Sequence, residues 1–215
     1  MSAERRKFKH EPPDRRKLDL IEAALSLIAE KGVKGATVRD ISRRAEVTQG
    51  LIRHYFSSKE DLIVAAYRYH MTQMTEVTYT SASQIDGTAT ERLAAFVQAS
   101  LTPPVVSPRA VALWASFLVQ LQQDANVKTT HEQTYTEFRD HLEDLIGAAL
   151  KEAGCSVSQG RLRYLATACN AVIDGLWLEG GALPHAFAAG ELPDIGLQSI
   201  GSIIAIDLRQ KVDQA

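Results

Sequence analysis

Cysteine is scarce in this chain of 215 residues: Cys155 and Cys169 are the only two, and they form no CxxC pair. That excludes a disulfide framework and a thiolate zinc site, and both read as core thiols. No apolar run reaches the roughly 18 residues a membrane span needs, so a soluble protein is expected, without membrane contact. The opening stretch, Met1 to Leu18, is basic but lacks the apolar segment of a secretory signal, which places the chain in the cytoplasm. Catalytic signatures are missing too. There is no GxGxxG, no phosphate loop ending in Gly-Lys-Ser/Thr and no GxSxG, and His131-Glu132 is followed by Tyr135 where HExxH needs its second histidine. His131, Glu137, His141, Glu143 and Asp144 read as a solvated face without metal-ligand spacing. No enzyme, cofactor or metal is therefore expected.

What remains is globular composition, 45% hydrophobic and 23% charged, with enough apolar residues for a sizeable core. The net charge of −2 conceals an asymmetry: residues 1–70 carry 15 Lys and Arg against 10 Asp and Glu, whereas residues 71–215 carry 9 against 16. A basic front and an acidic back suit an anionic partner, such as nucleic acid, held at one end; a solvated charged face gives the same pattern.

Periodicity predicts helices throughout, and no segment alternates with period two for long enough to make a strand. Residues 1–16 hold Arg5, Arg6, Lys7, Lys9, Arg15 and Arg16 around Pro12-Pro13 and read as a basic flexible arm. Leu18, Ile21, Leu25 and Ile28 then give a first helix, with Asp14 as its cap and Gly32 as its stop. Thr37-x-x-Asp40 opens a second, running to Ala45, and Thr48 caps a third carrying Leu51, Ile52, Tyr55 and Phe56. Ser58-x-x-Asp61 opens a long fourth with Leu62, Ala65, Tyr69, Met74 and Val77 on its face. Further helices are expected at 90–101, from Ser107-Pro108 to Asp124, at 130–153, at 158–179 closed by Gly180-Gly181, and from Asp194 to Val212. The domains expected are the arm, a helix-turn-helix unit at 17–64, and a helical unit for ligand binding and dimerisation at 65–215.

Two short helices across a tight turn, behind a supporting helix, form the arrangement in which the second short helix enters the major groove of DNA. Ile52 and Phe56 lie four apart and face the core, turning Thr48, Gln49, Arg53 and His54 to another surface. Gln reads an adenine edge with two bonds, Thr bonds bases or touches a thymine methyl, and Gly50 lets the backbone come close. Lys59 and Arg39 sit near helix starts, where phosphate contacts are natural.

These residues carry a resemblance. Thr37-Val38-Arg39-Asp40-Ile41, then VTQGLIRHYFSSKEDL from Val47 to Leu62, resembles the DNA-binding signature of the TetR family of bacterial transcriptional repressors. The resemblance spans Leu18 to Tyr67. It implies that Thr37 and Arg39 contact the DNA backbone, that Thr48, Gln49, Gly50, Leu51, Arg53, His54 and Tyr55 face a double-stranded operator, and that Lys59 binds phosphate. Arg53 stands where many members carry Tyr, which alters the operator and not the function.

In the second half, Tyr164 to Leu178 reads YLATACNAVIDGLWL, with Asp174 its one charged residue, and such a helix is expected to be buried all round. Ile195, Leu197, Ile200, Ile203, Ile204, Ile206 and Leu208 repeat the theme, with Ser199, Gly201, Ser202 and Ala205 permitting close helix approach. A homodimer through the last two helices follows, and the family resemblance implies the same. A larger core within one chain is the other explanation. Trp114, Phe117, Tyr135, Phe138, Tyr164 and Trp177 are spread over three helices that can converge on a cavity for a small-molecule effector.

Asp174 needs a partner in such a setting: Arg163, an arginine of a second subunit, or a bound cation. A carboxylate among aromatic faces is a common way to hold a quaternary ammonium ion. IDGLWLEGGAL, Ile173 to Leu183, with His54-Tyr55-Phe56, resembles the BetI branch of the family, which implies choline or a similar cation; other members bind drug-like, aromatic or acyl ligands. The rival to a regulator is a helical structural or protein-interaction module without sequence-specific DNA binding.

Overall fold

The computed structural model describes residues 13–209. Among these the chain is all-helical, and it divides into two units, Met1–Ala66 and Tyr67–Ala215. Arg5, Arg6, Lys7 and Lys9 of the arm, and Val212, lie outside the described residues.

The first unit contains α1 (Pro13–Gly35), α2 (Val38–Arg44), α3 (Gln49–Tyr55) and the start of α4 (Lys59–Ser83). α1 is already helical at Pro13, so Asp14 is not its cap and Arg15 and Arg16 belong to the helix. Proline fits a first turn because its missing N–H has no partner there anyway. Gly32 ends the regular part of α1 at φ 70° and ψ 172°, a conformation open to glycine. Thr37 caps α2 as its spacing predicts, accepting the Asp40 N–H at 3.1 Å.

The turn from α2 to α3 closes as a Schellman motif. Val47 N–H donates to the Ser42 carbonyl at 2.9 Å and Glu46 N–H to the Arg43 carbonyl at 3.3 Å, with Glu46 in the left-handed region at φ 53°. A helix of seven residues does not persist alone. α3 is held by burying Ile52, with Phe56 buried at its C-cap, at about 1.5–3 kcal/mol for each large side chain; Leu20, Ala24, Ile28, Ile41 and Leu62 are buried in the same unit. Lys17 Nζ sits 5.8 Å from the Phe56 ring centre.

The second unit continues α4 and adds α5 (Ala89–Ser100), α6 (Pro108–Leu121), α7 (Ala125–Glu152), α8 (Gln159–Ala182) and α9 (Glu191–Ile204). α5, α7, α8 and α9 share one core of Leu93, Phe96, Val97, Leu142, Ile146, Leu165, Cys169, Ile173, Leu197 and Ile200. Burial pushes the Cys169 thiol up to about 12, as a core thiol requires; Cys155 is exposed.

In the second unit several boundaries differ from those the sequence predicts. Asp124 does not end the sixth helix but caps the seventh, its carboxylate accepting the Asn126 and Val127 N–H groups at 2.8 and 3.3 Å. Gly180 and Gly181 do not close α8 but lie inside it, because a Cβ would come within 2.4 Å of Leu192 at the first and of Val111 at the second. α9 starts at Glu191, capped by Gly190 and not by Asp194, and ends at Ile204. Gly201 serves the turn after α9: a Cβ there would meet the Ile206 carbonyl at 2.6 Å.

α8 is not buried all round. Tyr164, Thr167, Ala171, Gly175 and Leu178 are exposed at helical spacing, and Tyr164, 64% exposed, lies under the Arg161 guanidinium. No helix among the described residues is long and apolar enough to cross a membrane.

Candidate functional site

Each unit contributes a candidate site. In the first, Ile52 and Phe56 point inward at 2% and 6% exposure, and Thr48, Gln49, Gly50, Arg53 and His54 are exposed, as their spacing predicts. Leu51 and Tyr55 are half-buried, and the His54 ring stands edge-on to Tyr55 with centres 5.0 Å apart. The Thr48 side chain makes no capping bond, so its hydroxyl is available at the start of α3. The Thr37 hydroxyl is committed to its cap, where it also donates to Asp40 Oδ2 at 2.8 Å.

Ion pairing sorts the arginines. Arg43 is tied to Asp40 and Arg44 to Glu30 in a two-pronged pair, whereas the exposed Arg39 and Arg53 guanidinium groups make no hydrogen bond to a described residue. Lys59 is half-buried and donates to the Val33 carbonyl at 3.0 Å, which anchors the ammonium near the end of α1 and leaves its other N–H groups for an anion.

In the second unit, α4, α6, α7 and α8 surround a cavity of about 380 Å³. Trp114, Tyr135, Phe138, Asp174 and Trp177 line it, as the sequence predicts for all five. Phe117 does not: it is fully buried and stacks on Tyr67 with ring centres 4.3 Å apart. Trp177 is fixed by an N–H bond to the Val105 carbonyl at 2.8 Å and meets Trp114 edge to face at 5.8 Å.

Asp174 finds its partners within the chain, and neither is Arg163, which is exposed. The Tyr135 hydroxyl donates to Asp174 Oδ2, and Asn170 Nδ2 donates to the same oxygen at 2.9 Å and to the Tyr135 oxygen at 2.8 Å. Burial holds the Asp174 carboxyl above the usual carboxylate range, and these two donors oppose it only in part. The same burial, with the Asp174 carboxylate, pushes the Tyr135 phenol up to about 12.

Sequence reasoning missed the two histidines. His70 is buried beside the cavity, and desolvation, with Arg109 nearby, pulls its imidazole down to about 4. His131 is no part of a solvated face. It lines the cavity, its Nδ1 lies 2.7 Å from the Tyr67 hydroxyl, its ring stacks on Tyr135 at 5.3 Å, and burial lowers its pKa. The helical spacing of His70, Met71, Met74 and Thr75 on α4 was the signal available in the sequence.

Comparison with known proteins finds a family match in each unit. The model of the tetR family of bacterial regulatory proteins matches residues 20–66, and that of the C-terminal domain of BetI-type transcriptional repressors matches residues 89–205. The chain belongs to the tetR family, in its BetI-type branch. This BetI-type regulator is 29% identical over 165 residues, 77% of the chain and 81% of the relative, to the transcriptional regulator BetI of Burkholderia ambifaria. It superimposes on a transcriptional regulator from Pseudomonas aeruginosa PAO1 with a TM-score of 0.81 at 28% identity, covering 93% of each chain. A regulator from Saccharomonospora viridis, solved in complex with choline, shares its fold with a TM-score of 0.69 at 21% identity over 89% of this chain and 96% of that one. The BetI-type regulator is thus a DNA-binding transcriptional regulator and not an enzyme, which sets aside the reading as a purely structural helical module.

Proposed function

We propose that this BetI-type regulator represses transcription as a homodimer and leaves its operator when a small organic cation, choline or a relative of it, binds beside Asp174. One observation carries the ligand: an acidic side chain lines a cavity walled by two tryptophans, a tyrosine and a phenylalanine, and no lysine or arginine lines it among the described residues. A buried carboxylate without a positive partner is costly, and a weakly hydrated cation against aromatic faces offsets that cost. The choline complex of the Saccharomonospora viridis regulator supports the same chemistry.

On the DNA side, Thr48, Gln49, Gly50, Leu51, Arg53, His54 and Tyr55 present α3 to the major groove, while Arg39 and Lys59 hold the phosphate backbone and Thr37 fixes the start of α2 beside them. The exposed guanidinium groups of Arg39 and Arg53, which make no hydrogen bond to a described residue, beside the paired Arg43 and Arg44, support that division. The exposed stripe of α8, running from Tyr164 through Ala171 to Leu178, supports pairing of two copies through α8 and α9. A two-fold protein matches half-sites roughly 34 Å apart. The work would be done in the cytoplasm, where the operator is.

Release follows from linkage: the effector moves the equilibrium only by its differential affinity for the two dimer geometries. Taking the operator-competent form from 99% to 1% requires a preference of about 10⁴. Calorimetry with choline on the wild type and on Asp174→Asn tests the ligand reading; equal affinities would remove Asp174 from the site. Sedimentation tests the dimer, and a lone subunit at working concentrations would contradict it.

A further inference from the structure

The effector of this regulator, we infer, is an organic cation with a mainly apolar body attached to its quaternary head, larger than choline. The inference rests on the cation reading above and adds the chemical class to it. A cavity of about 380 Å³ holds space on the order of a dozen waters at ~30 Å³ each and falls in the range of drug-sized ligands. Choline, a trimethylammonium head on a two-carbon arm, leaves most of that space empty.

The lining decides what fills the remainder. Asp174, on α8, is its one charged residue among those described, with Oδ2 held by Tyr135 and Asn170. Several of the other polar groups are spent on the protein itself. The Ser100 hydroxyl donates to the Phe96 carbonyl, the Trp177 N–H to Val105, and His131 Nδ1 is paired with Tyr67. The side chains that α4 and α6 bring are mostly apolar or aromatic, Met71, Met74, Trp114 and Leu118 among them, with His70 and Thr75 the polar exceptions. A polar ligand body would lose its bonds to water here and gain few in return, whereas a hydrocarbon body is favoured by burial. Methionines suit such a body because their flexible thioethers adapt to its shape.

The test is calorimetric titration of the intact wild-type protein with choline and with butyl-, hexyl- and octyltrimethylammonium, beside uncharged octanol and anionic octanoate. Affinity is expected to rise about fourfold per added methylene, on the order of 100-fold from choline to hexyltrimethylammonium. Octanol and octanoate should bind at least tenfold more weakly than the octyl cation. In Leu118→Trp, which fills the apolar wall, the gain from choline to the hexyl compound should shrink at least tenfold. If choline binds as tightly as the longer cations, or the Leu118→Trp gain is unchanged, this inference is overturned and the small-cation reading survives. If octanol or octanoate matches the octyl cation, or no cation binds, the cation reading fails and this inference with it.

Discussion

Acid should destabilise the second unit through His70. The imidazole is neutral in the fold, its pKa pulled from 6.5 to about 4 by burial and by the Arg109 charge. Above pH 6.5 neither the folded nor the unfolded chain protonates it, and it makes no difference to stability. As the pH falls from 6.5 towards 4 the unfolded chain takes up a proton that the folded one refuses, so stability is lost across that window. The loss saturates below pH 4 at about 3 kcal/mol and amounts to about 2 kcal/mol at pH 5. For a unit of this size that is a fall in Tm of roughly 4–8 °C.

Thermal denaturation followed by circular dichroism at pH 7.5 and pH 5, on the wild type and on His70→Gln, isolates the effect. Asp174 acts in the opposite sense: its raised pKa means that its burial penalty is relieved as pH falls through that value. That contribution, and the one from His131, is common to both proteins and cancels in the comparison. The variant should lose about 2 kcal/mol less than the wild type between the two pH values, whatever its absolute stability. Parallel pH profiles would refute the burial of a neutral imidazole at this position.

Glu46→Gly should stabilise the first unit by about 1 kcal/mol in urea unfolding, since Glu46 holds a left-handed φ that costs a side chain roughly that much; an unchanged midpoint would mean the turn is relaxed as it stands. On DNA, Gln49→Ala should narrow the gap between specific and random duplex, while Lys59→Ala should weaken binding to all duplexes and lower the salt slope by about one. Equal losses on both duplexes for Gln49→Ala would count against base readout there. Tyr67→Phe removes the partner of His131 Nδ1 and should cost about 1 kcal/mol in stability. No change in unfolding midpoint would deny that bond.

The short-range part of this architecture was legible in the sequence because its signals are local. Thr37, Ser58, Ser107 and Ser158 each accept the backbone N–H three residues on, as their spacing announces. The i, i+4 pair of Ile52 and Phe56 alone oriented the third helix and exposed Thr48, Gln49, Arg53 and His54. What escaped depends on packing between distant segments. Asp124 reads equally as the end of one helix or the cap of the next, and only the unpaired N–H groups of Asn126 and Val127 decide it. Gly180 and Gly181 look like a stop signal until Leu192 and Val111 are seen to occupy the space of their side chains.

The cavity was legible as a set of aromatics and a misplaced carboxylate, but not as a surface. Phe117 carries the same periodicity as Trp114 and belongs to the core beside Tyr67. The answer to what holds Asp174 lay partly in reach, since Asn170 precedes it by one helical turn; Tyr135 lies 39 residues away and needed the fold. His70 went unused although Met71, Met74 and Thr75 share its face of α4, and His131 read as solvated because only the fold turns it toward Tyr67 and Tyr135.

The central claim is that a cation seated at Asp174 lowers affinity for DNA. Fluorescence anisotropy of a labelled duplex, selected by the protein from a random pool, measures it directly when hexyltrimethylammonium is titrated into the complex. Release from the wild type, with Asp174→Asn remaining bound over the same range, is the result this account predicts. A complex that persists at saturating cation, or that dissociates equally in both proteins, would contradict it.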